Sequence, residues 1–207
     1  MKEAEVINQG DVVQTSVISS SIAITIERTE LLRALSHVQS VVEKRNTIPI
    51  LANVKLEAIN GTLTLTATDM DVAITETADA EIEKEGALTV PAHTLYEIAR
   101  KLPDGAQVTL KGDAENGGKV EISAANCNFS LSCLPVTDFP VMDETGFTHH
   151  FAVPMIELYG LIDKTKFAIS NEETRYYLNG IYLHAKGESD HVALSTVSTD
   201  GHRLALM

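Results

Sequence analysis

Leu51-Ala52-Asn53-Val54-Lys55-Leu56 and Leu178-Asn179-Gly180-Ile181-Tyr182-Leu183 form one pattern that occurs twice, 127 residues apart, and this repetition decides the fold. Thr68-Asp69 meets Thr199-Asp200 when the second copy has a loop four residues longer. Internal similarity of this kind is typical of tandem domains, and chance agreement of apolar periodicities is the alternative explanation. The 127-residue shift also aligns three apolar pairs: Ile26 with Val153, Leu31 with Leu158, and Leu35 with Ile162.

The first copy reads as a strand, a helix and a hairpin. Alternation of Ile22, Ile24 and Ile26 predicts a half-buried strand. Thr29 is predicted to cap a helix, because apolar residues then recur at helical spacing. Asn60-Gly61 predicts a two-residue hairpin turn, since both residues tolerate a positive φ. The apolar positions of the helix are Leu31, Leu35, Val38 and Val42.

Further strands and a second helix follow. Pro91 is expected to open that helix, and Pro103-Asp104-Gly105 to close it. Two helices combined with many antiparallel strands indicate the α+β class. The predicted strands cover residues 72–82, 87–90, 107–111, 119–124 and 127–133.

The repeat also predicts the domain organisation. Residues 1–21 are expected to form a flexible leader, 22–148 a first domain and 149–207 the start of a second. The helix of that second domain is predicted over about Pro154 to Ile169. A second copy of equal length ends near position 275, so we expect the sequence to be truncated within its second domain.

Charge argues at first against a nucleic-acid partner. Sixteen Lys and Arg residues stand against 29 Asp and Glu residues, which gives a formal net charge of −13. A phosphate backbone favours a basic surface, but a basic strip can coexist with an acidic exterior. The position of the basic residues therefore matters more than their sum.

Metal, disulfide and membrane signals are weak. Cys127 and Cys133 lie about 20 Å apart along a predicted strand, too far for a disulfide, so we expect free buried thiols in a reducing cytosol. His149-His150 has no neighbouring ligands, so no metal or other cofactor is predicted. The sequence has no apolar run of membrane-spanning length and no signal-peptide pattern, which predicts a cytoplasmic protein.

Basic residues concentrate on the polar faces of the two helices. An ordinary solvated helix face is the alternative explanation for such charges, but a surface that contacts phosphates also requires them. The first face holds Arg33, His37, Ser40 and Lys44, with Arg45 directly after it, and the second holds His93, Glu97, Arg100 and Lys101.

Three short motifs have both a functional and a structural explanation. Arg175-Tyr176-Tyr177 could contact phosphates and stack on bases, or could start a strand with half-buried tyrosines. Asp69-Met70-Asp71 fits an Asp that caps a turn better than a metal site. Asp200 and His202 are the only basis for a hydrolase, and no nucleophile elbow accompanies them. A generic α+β interaction domain is the other alternative, although it gives no reason for the repeat.

Five stretches resemble the beta sliding clamp family of bacterial replicative polymerases, and the resemblance covers Ile22 to Met207. The last two stretches are the most specific. The stretches are Asn46-Thr47-Ile48-Pro49-Ile50-Leu51, Leu65-Thr66-Ala67-Thr68-Asp69, Phe129-Ser130-Leu131-Ser132 with Asp138-Phe139-Pro140, Arg175-Tyr176-Tyr177-Leu178-Asn179-Gly180, and Thr199-Asp200-Gly201-His202-Arg203-Leu204.

The resemblance implies a non-enzymatic processivity factor with the DNA-clamp fold. It implies three similar domains per subunit, each with two helices on antiparallel sheets, and a head-to-tail homodimer ring around duplex DNA. Helices would line the channel and sheets would form the outer wall. The implied partners are double-stranded DNA bound without sequence specificity, the replicative polymerase, the clamp loader and other proteins with a clamp-binding motif.

Site residues follow from the resemblance by position. His93 stands where the family has a basic channel residue, and Glu172 where it can have a neutral DNA contact. The implied DNA contacts are Arg45, His93, Tyr176 and Tyr177, and we add Arg100 from the basic face of the second helix. The implied partner-peptide pocket consists of Leu178, Thr199, Gly201, His202, Arg203 and Leu204, and the implied dimer interface of Phe129 and Leu131.

Overall fold

The computed structural model describes residues 19–42, 47–113, 118–140, 152–186 and 193–207. They belong to two compact units, which divide between positions 143 and 144. No helix in these described ranges is long and apolar enough to cross a membrane.

The first unit alternates strands with two α-helices. Its elements, in the residues that the structure describes, are β1 (Ser21–Glu27), α1 (Arg28–Val38), β2 (Asn53–Ile59), β3 (Thr62–Thr68), β4 (Ala73–Asp79), β5 (Glu81–Lys84), β6 (Gly86–Pro91), α2 (Ala92–Lys101), β7 (Gln107–Asp113), β8 (Lys119–Ala124) and β9 (Cys127–Ser132).

Two antiparallel sheets and the two helices enclose one core in this unit. The five-stranded sheet has the order β5-β1-β7-β8-β9, and the four-stranded sheet has the order β4-β3-β2-β6. Leu31, Leu35 and Leu95 of the helices are fully buried. Each such side chain contributes about 1.5–3 kcal/mol by leaving water. The α+β prediction is confirmed.

The hairpin between β2 and β3 forms where the sequence predicts it. Asn60 and Gly61 have φ values of 51° and 80°, as a tight two-residue turn requires. Leu56 pairs with Leu65 across the hairpin, and both side chains are buried. The strands predicted near 107–111, 119–124 and 127–133 are confirmed as β7, β8 and β9.

The cap of α1 differs from the prediction. Glu27, not Thr29, is the capping residue: its carboxylate accepts hydrogen bonds from the backbone N–H groups of Thr29 and Glu30. The Thr29 hydroxyl donates to the same carboxylate at 2.9 Å. The prediction favoured a hydroxyl as the cap, whereas the longer Glu27 side chain extends forward to the first turn and accepts from two N–H groups that have no partner within the helix.

The end of α1 is also earlier than predicted. The helix stops at Val38, and Val42 is buried in the turn that follows it rather than on the helix. Ser40 is likewise beyond the helix, where its hydroxyl donates to the carbonyl oxygen of His37 at 2.7 Å. The apolar spacing indicated correctly that Val42 is buried, but a residue can be buried without lying on the helix.

The strand predicted over 72–82 is in fact two strands. It breaks at Ala80, whose backbone N–H donates to the carbonyl oxygen of Gly61 at 3.0 Å. β4 pairs with β3 in one sheet, and β5 pairs with β1 in the other. Continuous alternation along the sequence cannot reveal a strand that changes sheets.

The second unit repeats the path of the first. Helix α3 (Met155–Thr165) lies 127 positions after α1, and a 3-10 turn at Lys166–Ala168 extends it, close to the predicted helix. Strand β11 (Ala193–Thr199) lies 131 positions after β3, as the longer loop requires. The other elements are a 3-10 turn at Glu173–Leu178, β10 (Tyr182–Lys186) and β12 (Leu204–Leu206), in the sheet order β10-β11-β12.

Both cysteines are free thiols, as predicted, but they differ in exposure. Cys133 is half-buried, and burial raises its pKa to about 11. Cys127 is exposed, which corrects the prediction that both thiols are buried. It lies at the start of β9, an edge strand that pairs only with β8 among the described strands.

Candidate nucleic-acid and partner-binding site

The loop Thr199–Arg203 is held by hydrogen bonds from its first two residues. Asp200 Oδ1 accepts from the backbone N–H groups of His202 and Arg203, both at 2.9 Å. The Thr199 hydroxyl donates to the carbonyl oxygen of Arg203 at 2.7 Å and accepts from the N–H of Gly201 at 3.1 Å. The loop therefore has a defined conformation that depends on Thr199 and Asp200.

The first unit contains the same loop at Thr68–Val72. Asp69 Oδ1 accepts from the N–H groups of Asp71 and Val72, at 3.0 and 2.8 Å. The Thr68 hydroxyl donates to the carbonyl oxygen of Val72 and accepts from the N–H of Met70. Asp69 is thus an Asp that caps a turn, as predicted, and the Thr-Asp repeat extends to individual hydrogen bonds.

The carboxylate of Asp200 is fully engaged by its own loop. Hydrogen bonds from the backbone N–H of His202, then that of Arg203, hold the pKa of Asp200 at about 2. The Arg203 guanidinium adds an ion pair, with Nε 2.9 Å from Asp200 Oδ2. The contact between Asp200 and His202 involves the backbone of His202, so the loop offers no Asp–His pair for a hydrolase.

Arg203 also stacks on an aromatic ring. Its guanidinium carbon lies 5.6 Å from the ring centroid of Phe167, within the range of a cation–π contact. Phe167 follows α3 and is half exposed. Sequence reasoning missed Phe167, because no periodicity connects it to a loop 36 residues further along the chain.

The 3-10 turn Glu173–Leu178 presents two tyrosines to solvent. Tyr176 and Tyr177 are 78% and 71% exposed, and their rings meet edge to face at 5.9 Å. Exposed aromatic rings are suited to stacking on bases. Of the two explanations for this motif, the half-buried strand is wrong, because the segment is a 3-10 turn with exposed rings.

Two apolar residues of the predicted pocket are accessible in the second unit. Leu204 is 64% exposed and Leu178 is half-buried. In the first unit, the counterpart of Leu178 is Leu51, which is buried in one cluster with Ile50 and Phe139.

Basic groups on α1 are paired with acids. Arg33 Nη2 lies 2.9 Å from Glu30, and His37 Nδ1 lies 2.8 Å from Glu76, a residue of β4 that sequence reasoning did not identify. Glu76 also lies 3.8 Å from Arg33. The face of α1 is therefore less positive than its sequence suggests. Arg45 and Lys44 lie outside the described residues.

The basic residues of α2 are similarly engaged. Arg100 Nη2 lies 2.9 Å from Glu97, and Lys101 lies 3.9 Å from the same carboxylate. His93 Nδ1 lies 3.1 Å from Gln39 Oε1, and His93 Nε2 lies 2.9 Å from the carbonyl oxygen of Val42. The His93 ring thus connects the start of α2 to the turn after α1.

The two predicted dimer residues lie on the edge strand β9. Phe129 is 36% exposed, and Leu131 packs partly against the core. Strand β9 pairs with β8, and no other described strand pairs with its outer edge. An edge of this kind can accept another strand.

No group of three or more metal-ligating side chains occurs among the described residues.

Known family models match residues in both units of the chain. The model of the DNA polymerase III beta subunit N-terminal domain matches residues 22–143, and that of its central domain matches residues 152–207. The beta sliding clamp of Caulobacter vibrioides is 54% identical over 183 residues, which is 88% of this chain and 49% of that protein. The Escherichia coli K12 clamp is 38% identical over the same share of this chain and 48% of its own.

Solved structures agree with this assignment. A Caulobacter crescentus beta sliding clamp superposes with a TM-score of 0.85 at 54% identity, covering 90% of this chain and 50% of that one. A Bartonella birtlesii sliding clamp bound to griselimycin gives 0.83 at 46% identity, covering 90% and 49%. This chain spans about half the length of the relatives it matches. Its fold is the α+β DNA-clamp fold, and the chain belongs to the DNA polymerase III beta subunit family.

Proposed function

We propose that this chain supplies residues of the first and second domains of a sliding clamp, a ring that encircles duplex DNA and tethers the replicative polymerase. The observation that carries the proposal is the pair of family matches, 22–143 and 152–207, in the order that the clamp relatives have. We place the domains at 22–148 and 149–207. The leader predicted at 1–21 overlaps the first domain at Ser21, which is the first residue of β1.

A ring explains how an acidic protein can serve DNA. A net charge of −13 opposes phosphate binding, so strong electrostatic attachment is not expected. A closed ring stays on DNA by topology, and the polymerase bound to it experiences a high effective concentration of template. Within the channel, Arg45, His93, Arg100, Tyr176 and Tyr177 would make contacts without sequence specificity.

The partner site would lie on the second unit. Leu178 and Leu204 offer apolar surface beside the loop Thr199–Arg203. The Bartonella relative was solved with griselimycin bound, and we propose that this ligand and the clamp-binding segments of polymerase and clamp loader occupy the surface formed by Leu178, Thr199, Gly201, His202, Arg203 and Leu204. Apolar anchors worth about 1.5–3 kcal/mol each would give exchangeable binding after ordering costs.

Assembly and location follow from the same proposal. Phe129 and Leu131 on β9 would meet another subunit in a homodimer ring. The protein would act in the cytoplasm, without a catalytic residue, metal or other cofactor. The competing function is a generic interaction domain with no role on DNA.

The decisive test uses a chimaera in which residues 22–207 replace the matching half of the Caulobacter vibrioides clamp, which is 54% identical. The chimaera is loaded onto nicked circular DNA by the Caulobacter clamp loader, and retention is measured at rising salt before and after the DNA is linearised. A ring should stay on the circle at high salt and leave the linear form. Retention that falls with salt, or that is unchanged by linearisation, would refute the ring.

A further inference from the structure

Arg175 occupies a kink in the 3-10 turn Glu173–Leu178. Its backbone has φ −115° and ψ 48°, outside the helical region. Glu172 holds the guanidinium at two atoms, with Nε 2.9 Å from Oε2 and Nη2 3.4 Å from Oε1. The backbone N–H of Arg175 also donates to the carbonyl oxygen of Glu172 at 3.1 Å. Because Nε and Nη2 both face the Glu172 carboxylate, the third guanidinium nitrogen, Nη1, points away from Glu172.

That nitrogen meets the loop at Gly201. A Cβ atom placed on Gly201 would lie 2.9 Å from Nη1 of Arg175, so the guanidinium, which is the end of a flexible side chain, would have to move aside. Gly201 has φ 87°, a conformation that also favours glycine. The guanidinium therefore packs on the face of Gly201 that has no side chain.

Gly201 is favoured both by its positive φ and by the close approach of Arg175, and the first unit separates these two reasons. Met70 occupies the same loop position with φ 83°, so this backbone accepts a side chain. The position that corresponds to Arg175 in the 127-residue shift is Ile48, which has no guanidinium. In these two loops, glycine therefore occurs where the arginine is present, and the positive φ alone does not require it.

The turn that carries Arg175 is fixed at its base. Ser170 is buried, its N–H donates to the carbonyl oxygen of Leu178 at 3.1 Å, and its hydroxyl accepts from the N–H of Glu172 at 3.2 Å. Arg175 therefore extends towards the loop Thr199–Arg203 from a segment whose two ends are joined by the hydrogen bond between Ser170 and Leu178.

We propose that Arg175 is a positioning residue for the partner-binding loop: Glu172 orients its guanidinium, and the guanidinium holds the loop through Gly201. The inference rests on the proposed partner site at Leu178 and Leu204. The same turn carries Tyr176 and Tyr177, so Arg175 connects the proposed DNA contacts with the partner loop.

The first test measures the loop in the 207-residue chain itself. Arg175→Ala should shift the NMR amide signals of Gly201 and His202 and speed their hydrogen exchange, while the thermal midpoint stays the same. Glu172→Ala should reproduce these changes because it releases the guanidinium. Glu172→Gln, which keeps an oxygen acceptor, should restore most of the original signals.

A double-mutant cycle then tests the contact. Gly201→Ala should disturb the loop less in the Arg175→Ala background than in the original chain, because the clash is already removed. Additive effects of the two substitutions, or loop signals that Arg175→Ala does not change, would overturn the inference.

The second test measures binding of griselimycin to the chimaera. Arg175→Ala should weaken binding roughly two- to fivefold, the range expected when an exposed ion pair is lost. Unchanged affinity contradicts the positioning role. If the unmodified chimaera does not bind griselimycin, the proposed partner site fails, whereas the double-mutant cycle still decides whether Arg175 holds the loop.

Discussion

Asp69 and Asp200 make the same pair of hydrogen bonds in the two units. Each carboxylate oxygen Oδ1 accepts from the backbone N–H groups two and three residues ahead. In both loops the preceding threonine hydroxyl donates to a carbonyl four residues ahead. The two units therefore share the chemistry of a loop as well as an order of elements, although the surfaces around the loops differ.

The carboxyl of Asp200 should titrate near pH 2. The N–H groups of His202 and Arg203 bind its charged form, and this lowers the pKa from 3.8 to about 2. Because the pKa of Asp200 is lower in the folded chain than in the unfolded chain, its carboxylate stabilises the folded loop at pH values above the unfolded pKa. That stabilisation is lost as the pH falls through the folded pKa. Side-chain carboxyl NMR should detect this, and the pKa of Asp69 should be lowered as well.

Arg203→Gln provides the control for that titration. Because the backbone hydrogen bonds are the main cause, the pKa of Asp200 should rise only in part and remain below its usual range. A return to the ordinary value would show that the ion pair dominates.

Griselimycin affinity should depend on the two accessible leucines. In the chimaera, Leu178→Ala combined with Leu204→Ala should weaken binding by at least about tenfold, since each anchor contributes on the order of 1.5 kcal/mol or more. Isothermal titration measures the change, and circular dichroism checks folding. Ile156→Ala on α3, an exposed apolar residue outside the proposed pocket, is the matched control and should bind normally. Equal affinity in all three proteins would mean that the partner surface lies elsewhere.

Arg45 should make one phosphate contact in the ring. Arg45→Ala in the chimaera should lower the salt slope of duplex binding by about one contact, uniformly across sequences. Arg33→Ala is the matched control: Arg33 is already paired with Glu30 and Glu76, so its removal should leave the slope nearly unchanged. Fluorescence anisotropy over a range of salt concentrations measures both. A salt slope that falls for Arg33→Ala and not for Arg45→Ala would show that Arg33 contacts the phosphates and Arg45 does not.

Phe129→Asp should prevent ring closure in the chimaera. The side chain is exposed on β9, so the unit should still fold, but burial of a charge at the subunit contact is costly. Sedimentation velocity should show monomers where the unmodified chimaera is a dimer. Asn128→Asp, which puts the same charge on the neighbouring exposed position of β9, tests whether the face of Phe129 is specifically involved. A stable Phe129→Asp dimer would exclude this residue from the interface.

The two cysteines should react at different rates. Cys127 is exposed, whereas burial raises the pKa of Cys133 to about 11, which leaves about 0.1% of it as the reactive thiolate at pH 8. A chromogenic disulfide reagent should therefore modify one thiol rapidly per chain. Cys127→Ser should remove the fast phase, and equal rates for both thiols would contradict the described burial of Cys133.

The sequence alone determined the class of fold and the family. Burial imposes a period of about two on strands and 3.6 on helices, so the apolar residues of β1, α1 and β2 were predictable. The repeat was predictable because apolar residues recur at equivalent positions in both copies, although Ile162 of α3 is exposed where Leu35 of α1 is buried. The hairpin at Asn60-Gly61 and the turn at Asp69 were also predictable, since local backbone conformation restricts the residue types there.

Tertiary structure alone decided which partners the candidate residues have. Glu76 lies on a different element from Arg33 and His37, and Phe167 is far in sequence from Arg203, so no local pattern could pair them. The change of sheet at Ala80 likewise depends on a distant backbone group, because the Ala80 N–H donates to the carbonyl oxygen of Gly61. Sequence periodicity reports whether a side chain is buried, whereas charge and hydrogen-bond pairing require the position of residues that the fold brings together from far apart in the chain.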